Sequence, residues 1–419
     1  MLPVLYWPDA VQRGARHGVN GNRRNVSQRP NFAKSVVFGP KILYYKKVTD
    51  HVIWKYEFKK EINMKTTALI MAGGRGERFW PRSRKSLPKQ FLSLTDDGKT
   101  MIQLTVERIL PLVNMEDIYI ATNRDYKELV AEQLSDLPAE NILCEPIGRN
   151  TAPCIGLGAM HISRKYEDAL MIVLPSDHLI KNKSLFIRTL QNACEVAEEG
   201  SNLVTLGITP NYPETGYGYI KFDPDQPLKQ SYLVDQFVEK PDLDTAEQYL
   251  SDGTYLWNSG MFIWKISSIL ENIKAYLPAT FTGLEKIREA LYTPMEDQVL
   301  LDEFEKFASD SVDYGIMEKA DHIYTLPGNF GWDDVGSWLA VERIKKTDDD
   351  NNVMNGNVVA YETRDCIIEG SGKLIATVGI DNLIIVDTAD ATLICDKTSA
   401  GDIKKVLQTL RESNKTEYL

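Results

Sequence analysis

The pattern of apolar and polar positions changes character along the chain. From Thr66 onward, short apolar runs alternate with amphipathic stretches. Residues 68–71, 117–122, 142–145, 169–174 and 202–206 are compact and rich in branched side chains, which predicts buried strands. Between them, residues 101–110 place Ile102, Val106, Ile109 and Leu110 on one side of a helix. Residues 126–134, 152–165 and 186–198 also read as helices. This alternation predicts an α/β fold, a Rossmann-like, mainly parallel mixed sheet flanked by helices. Ligands of such sheets gather beyond the carboxyl ends of the strands.

The middle of the chain reads differently. Residues 217–222, 232–239 and 255–264 are strand-like and aromatic, and are expected to extend the sheet and wall a second pocket. Helices are expected at 246–250, 267–276, 302–307 and 311–319, and a last one from about Ser337. The polar run at 345–352 reads as a linker. After it, five short Val/Ile-rich pieces between 357 and 395 predict a small β domain, a short β-helix or a compact sandwich, closed by a helix at 402–411. The expected organisation is therefore an α/β domain over 64–345 and a β domain over 351–419. The β domain shows no chemistry of its own, and its expected role is stability or self-association.

Residues 1–63 do not fit this scheme. They carry 12 Lys+Arg against 4 Asp+Glu, leaving 36 against 55 for the rest of the chain. The segment has little periodicity and no signal-peptide pattern, while Met64 reads as a natural start directly before the first strand. It is expected to be a non-native or upstream-translated extension, a packed native segment being the alternative. The acidic remainder repels nucleic acid, so no nucleic-acid partner is expected. The sequence has no run of 18 apolar residues, so no membrane association is expected either. Cys144, Cys154, Cys194, Cys366 and Cys395 are scattered and form no CxxC pair, which points to a reducing, cytoplasmic setting.

The chemistry begins at Gly73-Gly74-Arg75-Gly76-Glu77-Arg78, directly after the first strand, with Pro88-Lys89 downstream. Gly73, Gly74 and Gly76 let the backbone turn sharply and bring amide hydrogens to a ligand. Arg78 offers a forked donor set for phosphate oxygens, and Lys89 a mobile point charge. With Arg75 they form a local basic pocket on an acidic body. The string is neither a P-loop nor a dinucleotide fingerprint. Asp177 and Asp334 both lie at predicted strand-to-loop junctions. Two carboxylates converging on a triphosphate would hold Mg²⁺, with Asp333 an open alternative to Asp334. Glu239 and Lys240 are adjacent on a strand, so they reach one ligand only if the strand bends there, as Pro241 suggests.

This set of motifs resembles the sugar-1-phosphate nucleotidyltransferases, whose signature is G-G-x-G-x-R-L-x-P followed by P-K. Phe79 replaces the usual leucine. The strings Glu145-Pro146-Ile147-Gly148-Arg149-Asn150-Thr151, Pro175-Ser176-Asp177-His178, Phe237-Val238-Glu239-Lys240-Pro241, Trp257-Asn258-Ser259-Gly260-Met261-Phe262 and 330–338 extend the likeness to the mannose-1-phosphate guanylyltransferase group, over residues 66 to about 400. The resemblance implies transfer of GMP from GTP to mannose 1-phosphate. It implies catalytic roles for Arg78, Lys89, Asp177 and Asp334, with Mg²⁺ as cofactor on the two aspartates. It implies that Glu239 and Asn258 bind sugar hydroxyls, that Lys240 binds the sugar phosphate, and that Gly218, if not merely a hairpin glycine, lets the backbone approach the hexose. Guanine would be read from the backbone of Ala72 and Gly73 and from the Arg149-Asn150 turn, where Asn150 also reads as a helix cap. A homodimer is a family expectation, as is a single activity, since little sequence remains for an appended isomerase domain. The rival readings are an enzyme for UTP or dTTP and another hexose phosphate, or a non-catalytic subunit that senses nucleotide sugars.

Overall fold

The computed structural model describes residues 64–74 and 76–419, and the backbone of three strands before them. Those strands, β1 (Lys34–Phe38), β2 (Lys41–Val48) and β3 (His51–Phe58), form an antiparallel meander that belongs to a separate compact unit, Met1–Glu61. The expectation for residues 1–63, and that for Arg75, fall outside the residues whose side chains are described.

The second unit, Ile62–Leu419, opens with β4 (Thr66–Met71), α1 (Met101–Ile109), β5 (Ile118–Asn123), α2 (Lys127–Gln133), β6 (Ile142–Glu145), α3 (Thr151–Lys165) and β7 (Leu170–Pro175). The short β8 (Leu179–Ile180), α4 (Lys183–Ala197) and β9 (Leu203–Ile208) follow. Local signals set these boundaries. Thr100 and Gln103 close a capping box at the start of α1, and the Asn182 side chain caps α4. Along β4, Ala68 and Ile70 enter one apolar layer and Leu69 the other, so the strand is buried on both faces. Gly158 explains why α3 is rich in small residues. A Cβ there would lie 2.6 Å from Leu69, so α3 packs directly on the central strand.

The middle region supplies β10 (Gly218–Leu228), β11 (Ser231–Glu239), α5 (Leu243–Asp252) and β12 (Tyr255–Lys265). Then come α6 (Ile266–Tyr276), α7 (Pro278–Ala290), α8 (Glu296–Lys306), β13 (Ile323–Gly328), β14 (Trp332–Asp333) and α9 (Ala340–Ile344). The main sheet has the order β10-β11-β13-β9-β12-β7-β4-β5-β6. Its β7-β4-β5-β6 half is parallel, while β12 runs antiparallel to both β7 and β9. The sheet is thus mixed, and its antiparallel half is the aromatic middle of the sequence. The helix expected at 311–319 is a short π-helix at Asp313–Met317. The structure corrects other details: the last helix of the domain starts at Ala340, and the sequence reading has no counterpart for α7 or β13.

The C-terminal region contains β15 (Val353–Asn355), β16 (Val358–Tyr361), β17 (Ile367–Glu369), β18 (Ile375–Val378), β19 (Leu383–Asp387), β20 (Thr392–Asp396) and α10 (Ile403–Glu412). Two parallel ladders, β15-β17-β19 and β16-β18, stack successive coils of a short β-helix. Its core is continuous with the glycine-loop region: Ile367, Ile384, Ile403 and Leu407 share one apolar cluster with Phe79, Trp80 and Trp338. Among the described residues no helix is long and apolar enough to cross a membrane.

Candidate active site

Three strands of the parallel half deliver the loop ends of interest at one edge of the sheet. Gly73–Gly76 follow β4, Asp177 follows β7, and Glu145 ends β6. The second aspartate arrives by a short ladder. β14 pairs antiparallel with β8, with Asp333 opposite Leu179, so Asp334 falls beside the Asp177-His178 turn. Residues more than 150 positions apart in sequence are joined in this way.

Lys89 ties the two halves together. It is 4 % exposed, and its Nζ makes an ion pair with Asp177 Oδ2 at 2.8 Å and donates to the Asp334 carbonyl at 2.8 Å. Burial would raise the Asp177 carboxyl, but the charge and hydrogen bond of Lys89, the charge of His178 and a backbone hydrogen bond together hold it below the usual carboxylate range. Gly76 fixes the lysine from the other side. It adopts φ +59°, and a Cβ on it would sit 2.3 Å from the Lys89 Cβ.

Asp333 and Asp334 part company in the structure. Both oxygens of Asp333 are taken by the Arg343 guanidinium, Nη2 to Oδ1 being 2.9 Å. Asp334 accepts on Oδ1 from Tyr217 Oη at 2.7 Å and from the Gly336 amide at 3.2 Å. Val335 follows with φ +49° while fully buried, a conformation that costs a branched residue about 1–3 kcal/mol and turns the chain after Asp334. Asp177 and Asp334 supply hard oxygen donors suited to a magnesium ion, which needs only one or two protein carboxylates when phosphates and water complete its shell. Among the described residues no three His, Cys, Asp or Glu side chains gather, so any metal site relies on such outside ligands.

Arg78 is exposed and, among the described residues, donates only to the Gly336 carbonyl, at 3.4 Å. With Gly76, Glu77, Phe79, Lys89, Gly336 and Lys404 it lines a cleft of about 390 Å³.

A second cluster lies on the antiparallel half. Gly218 is paired with Glu239 across β10 and β11, and a Cβ on it would meet Glu239 Oε2 at 2.4 Å. The glycine therefore makes room for the carboxylate. Lys240 has φ +50°, which breaks the strand alternation and lets its Nζ reach Glu239 Oε1 at 2.6 Å. Asn258 on β12 donates to Asp313 Oδ1 at 2.8 Å. Burial, with the Glu239 carboxylate adding to it, pushes Asp313 up to about 6. Tyr217 couples the clusters, its hydroxyl on Asp334 and its carbonyl accepting from the Lys240 amide at 3.2 Å.

The expected base-reading groups are placed differently. The Ala72 amide donates to the Ala121 carbonyl, and its own carbonyl accepts from Gln90 Nε2 at 2.8 Å and Thr122 Oγ1 at 3.0 Å. Ala72 thus has no free backbone group. Arg149 donates from Nε and Nη2 to the carbonyls of Phe304 and Glu305, both at 2.8 Å, so its guanidinium closes the end of α8. Asn150 caps α3, accepting from the Thr151 amide. Gly73 stays exposed, and beside it stands a residue that the sequence reading passed over. Glu145 is 6 % exposed, its Oε1 has no hydrogen-bond partner among the described residues, and its Oε2 lies 3.5 Å from where a Cβ on Gly73 would be. Burial pushes its carboxyl up to about 7, against a hydrogen bond with the Cys154 thiol. Tyr217 and Asp313 were also unmarked by any motif, because only the folded chain brings them to the site.

The sequence profile of the nucleotidyl transferase family matches residues 67–351, and that of a mannose-phosphate isomerase/GMP-like β-helix domain matches 356–410. The chain belongs to the nucleotidyl transferases. Among its relatives, a mannose-1-phosphate guanylyltransferase of Salmonella muenchen is 42 % identical over 361 residues, covering 84 % of this chain and 75 % of the relative. An alginate biosynthesis protein AlgA of Pseudomonas syringae pv. tomato is 39 % identical, covering 83 % and 72 %. A crystal structure from Thermus thermophilus, described as a mannose-1-phosphate geranyltransferase, superposes with a TM-score of 0.75 at 36 % identity, covering 83 % of this chain and all of that one. This nucleotidyl transferase therefore has the α/β core and C-terminal β-helix expected from its sequence.

Proposed function

We propose that this nucleotidyl transferase moves GMP from GTP to α-D-mannose 1-phosphate, giving GDP-mannose and pyrophosphate. The observation that carries the reading is Lys89, which joins the Asp177 carboxylate to the Asp334 main chain at the mouth of the glycine loop. The sheet order supports a layout with the ligand on either side of this point. The Glu239-Lys240-Asn258-Asp313 cluster stands toward β10–β12 and suits a hexose phosphate. Glu145 stands two strands beyond β4 on the opposite side and suits the base. A carboxylate accepts from two neighbouring donors, and guanine offers N1–H and N2–H side by side, where uracil and thymine offer one donor between two acceptors. Glu145 is thus our candidate guanine reader, with the exposed Gly73 backbone beside it.

In the reaction an oxygen of the sugar phosphate attacks the α-phosphorus of GTP, the new P–O bond forms, and the α–β bridge breaks to release pyrophosphate. The nucleophile is already anionic, so no general base and no covalent intermediate is required. The protein positions the reactants and compensates charge. Lys240 holds the attacking phosphate, Arg78 and Lys89 face the β- and γ-phosphates, and Glu239 and Asn258 orient the hexose. Asp177 and Asp334 are the residues that would hold a magnesium ion, which offsets repulsion between the two reacting phosphates when bound. Residues 1–63 precede both matched spans, and we assign them no catalytic part.

Mannose 1-phosphate labelled with ¹⁸O in its terminal phosphate oxygens tests the reading. GDP-mannose carrying all the label, with an equal amount of unlabelled pyrophosphate, is the expected result. Label in pyrophosphate, or no GDP-mannose at all, overturns it.

A further inference from the structure

The C-terminal β domain shows no chemistry in its sequence, yet its closing helix reaches the phosphate cleft. Ile403 and Leu407 of α10 are buried in the cluster that contains Phe79 and Trp80. Arg411 Nη2 makes an ion pair with Glu77 Oε1 at 2.7 Å, and Trp80 Nε1 donates to the Tyr418 carbonyl at 2.7 Å. These contacts pin α10 against the turn that carries Arg78. Lys404, in the first turn of α10, consequently lines the same cleft as Gly76, Arg78 and Lys89.

The charges there do not balance. Lys89 is matched by Asp177, and Glu77, the one acid among the lining residues, is matched by Arg411. Among the described residues Arg78 has only a carbonyl partner. Lys404 has no hydrogen-bond or ion-pair partner among the described residues, whereas its neighbour Lys405 pairs with Asp402 at 2.9 Å. Two uncompensated cations facing one cleft repel each other, and a polyanion between them reverses the sign of that term. The cleft is lined by Gly76, Arg78 and Lys89, and Arg78 and Lys89 are the residues assigned above to the β- and γ-phosphates.

We propose that Lys404 binds the leaving pyrophosphate, so that the β-helix domain completes the catalytic site. The inference rests on the nucleotidyl-transfer reading above. It makes the packing of α10 on the 77–80 turn a requirement for turnover as well as for stability.

The reverse reaction tests it, with GDP-mannose and pyrophosphate as the substrates. K404A is expected to raise KM for pyrophosphate about 10-fold, the scale of one lost charge-assisted contact, with KM for GDP-mannose within about twofold of wild type. K404R is expected to recover most of the loss, and K405A to behave as wild type. K404Q repeats the test with a side chain that keeps the aliphatic packing, and a thermal melt of each variant separates misfolding from lost binding. Unchanged pyrophosphate kinetics in K404A and K404Q, or an equal loss in K405A, overturns the inference alone. A folded wild-type protein inert toward GDP-mannose and pyrophosphate overturns the functional reading, and this inference with it.

Discussion

Gly76 and Lys89 are in such close contact that a single methyl group on the glycine would collide with the lysine Cβ at 2.3 Å. The loop therefore does more than offer amides to phosphate, since Gly76 leaves the room that lets Lys89 pass beneath it to Asp177 and the Asp334 carbonyl. Gly76→Ala adds that collision to a left-handed backbone angle. It should lower kcat by about 100-fold or more, because displacement of a positioned charge by an ångström is costly. A stability loss of about 1–2 kcal/mol should accompany it. Steady-state kinetics and a denaturant melt of the variant check both.

The adjacent acids should separate by phenotype. Asp177→Asn and Asp334→Asn are expected to lower kcat by about 10²–10³ without loss of fold, and more added Mg²⁺ should recover only part of it. Asp333→Asn leaves Arg343 without its partner and should mainly lower the melting temperature. Magnesium titrations of the three variants, with their melts, decide the matter. Equal kinetic damage at 333 and 334 would contradict the assignment.

Glu145 gives a pH dependence whose sign is fixed. Burial raises its carboxyl to about 7, so the ionised form that accepts both guanine donors is lost as pH falls through that value. The preference for GTP over ITP, which lacks the 2-amino donor, should be largest above pH 7.5 and shrink toward pH 6. Glu145→Gln should flatten the profile and reduce the GTP/ITP ratio in kcat/KM by about 10-fold or more. Using the ratio cancels protonation of the triphosphate itself. The same shift means that ionising this group opposes folding. Its unfavourable contribution is absent below the unfolded-state pKa and grows until pH passes 7, so Glu145→Gln should be relatively more stable at pH 8 than at pH 5.

On the sugar side, Asp313 holds Asn258 by a 2.8 Å hydrogen bond. Asp313→Ala should raise KM for mannose 1-phosphate by about 10-fold, with KM for GTP nearly unchanged. Lys240→Ala should affect the same substrate, and kcat as well, because Lys240 is assigned to the attacking phosphate.

Much of this was legible in the sequence. The parallel half of the sheet declares itself through short apolar runs ended by glycine or by Pro-Ser-Asp, and the loop residues Arg78, Lys89 and Asp177 sit where the pattern puts them. The less legible parts depend on partners distant in the chain. The motif around Arg149 gives no sign that its guanidinium caps the open carbonyls of α8, some 155 residues away. Ala72 appears to offer a free backbone until Gln90 and Thr122 occupy it. Glu145 is quoted in a motif without a role because its lack of a partner exists only in the folded state. Lys404 sits among ordinary helix lysines, and only the packing of Ile403 and Leu407 reveals which one faces the cleft.

The most direct test is pyrophosphate release in the presence of Mg²⁺, crossing GTP, UTP, dTTP and ATP with mannose, glucose and galactose 1-phosphates. The account predicts that GTP with mannose 1-phosphate exceeds every other pair in kcat/KM and that Asp177→Asn slows the release by about 10²–10³. A faster reaction with UTP or dTTP, or none from folded wild-type protein, would contradict it.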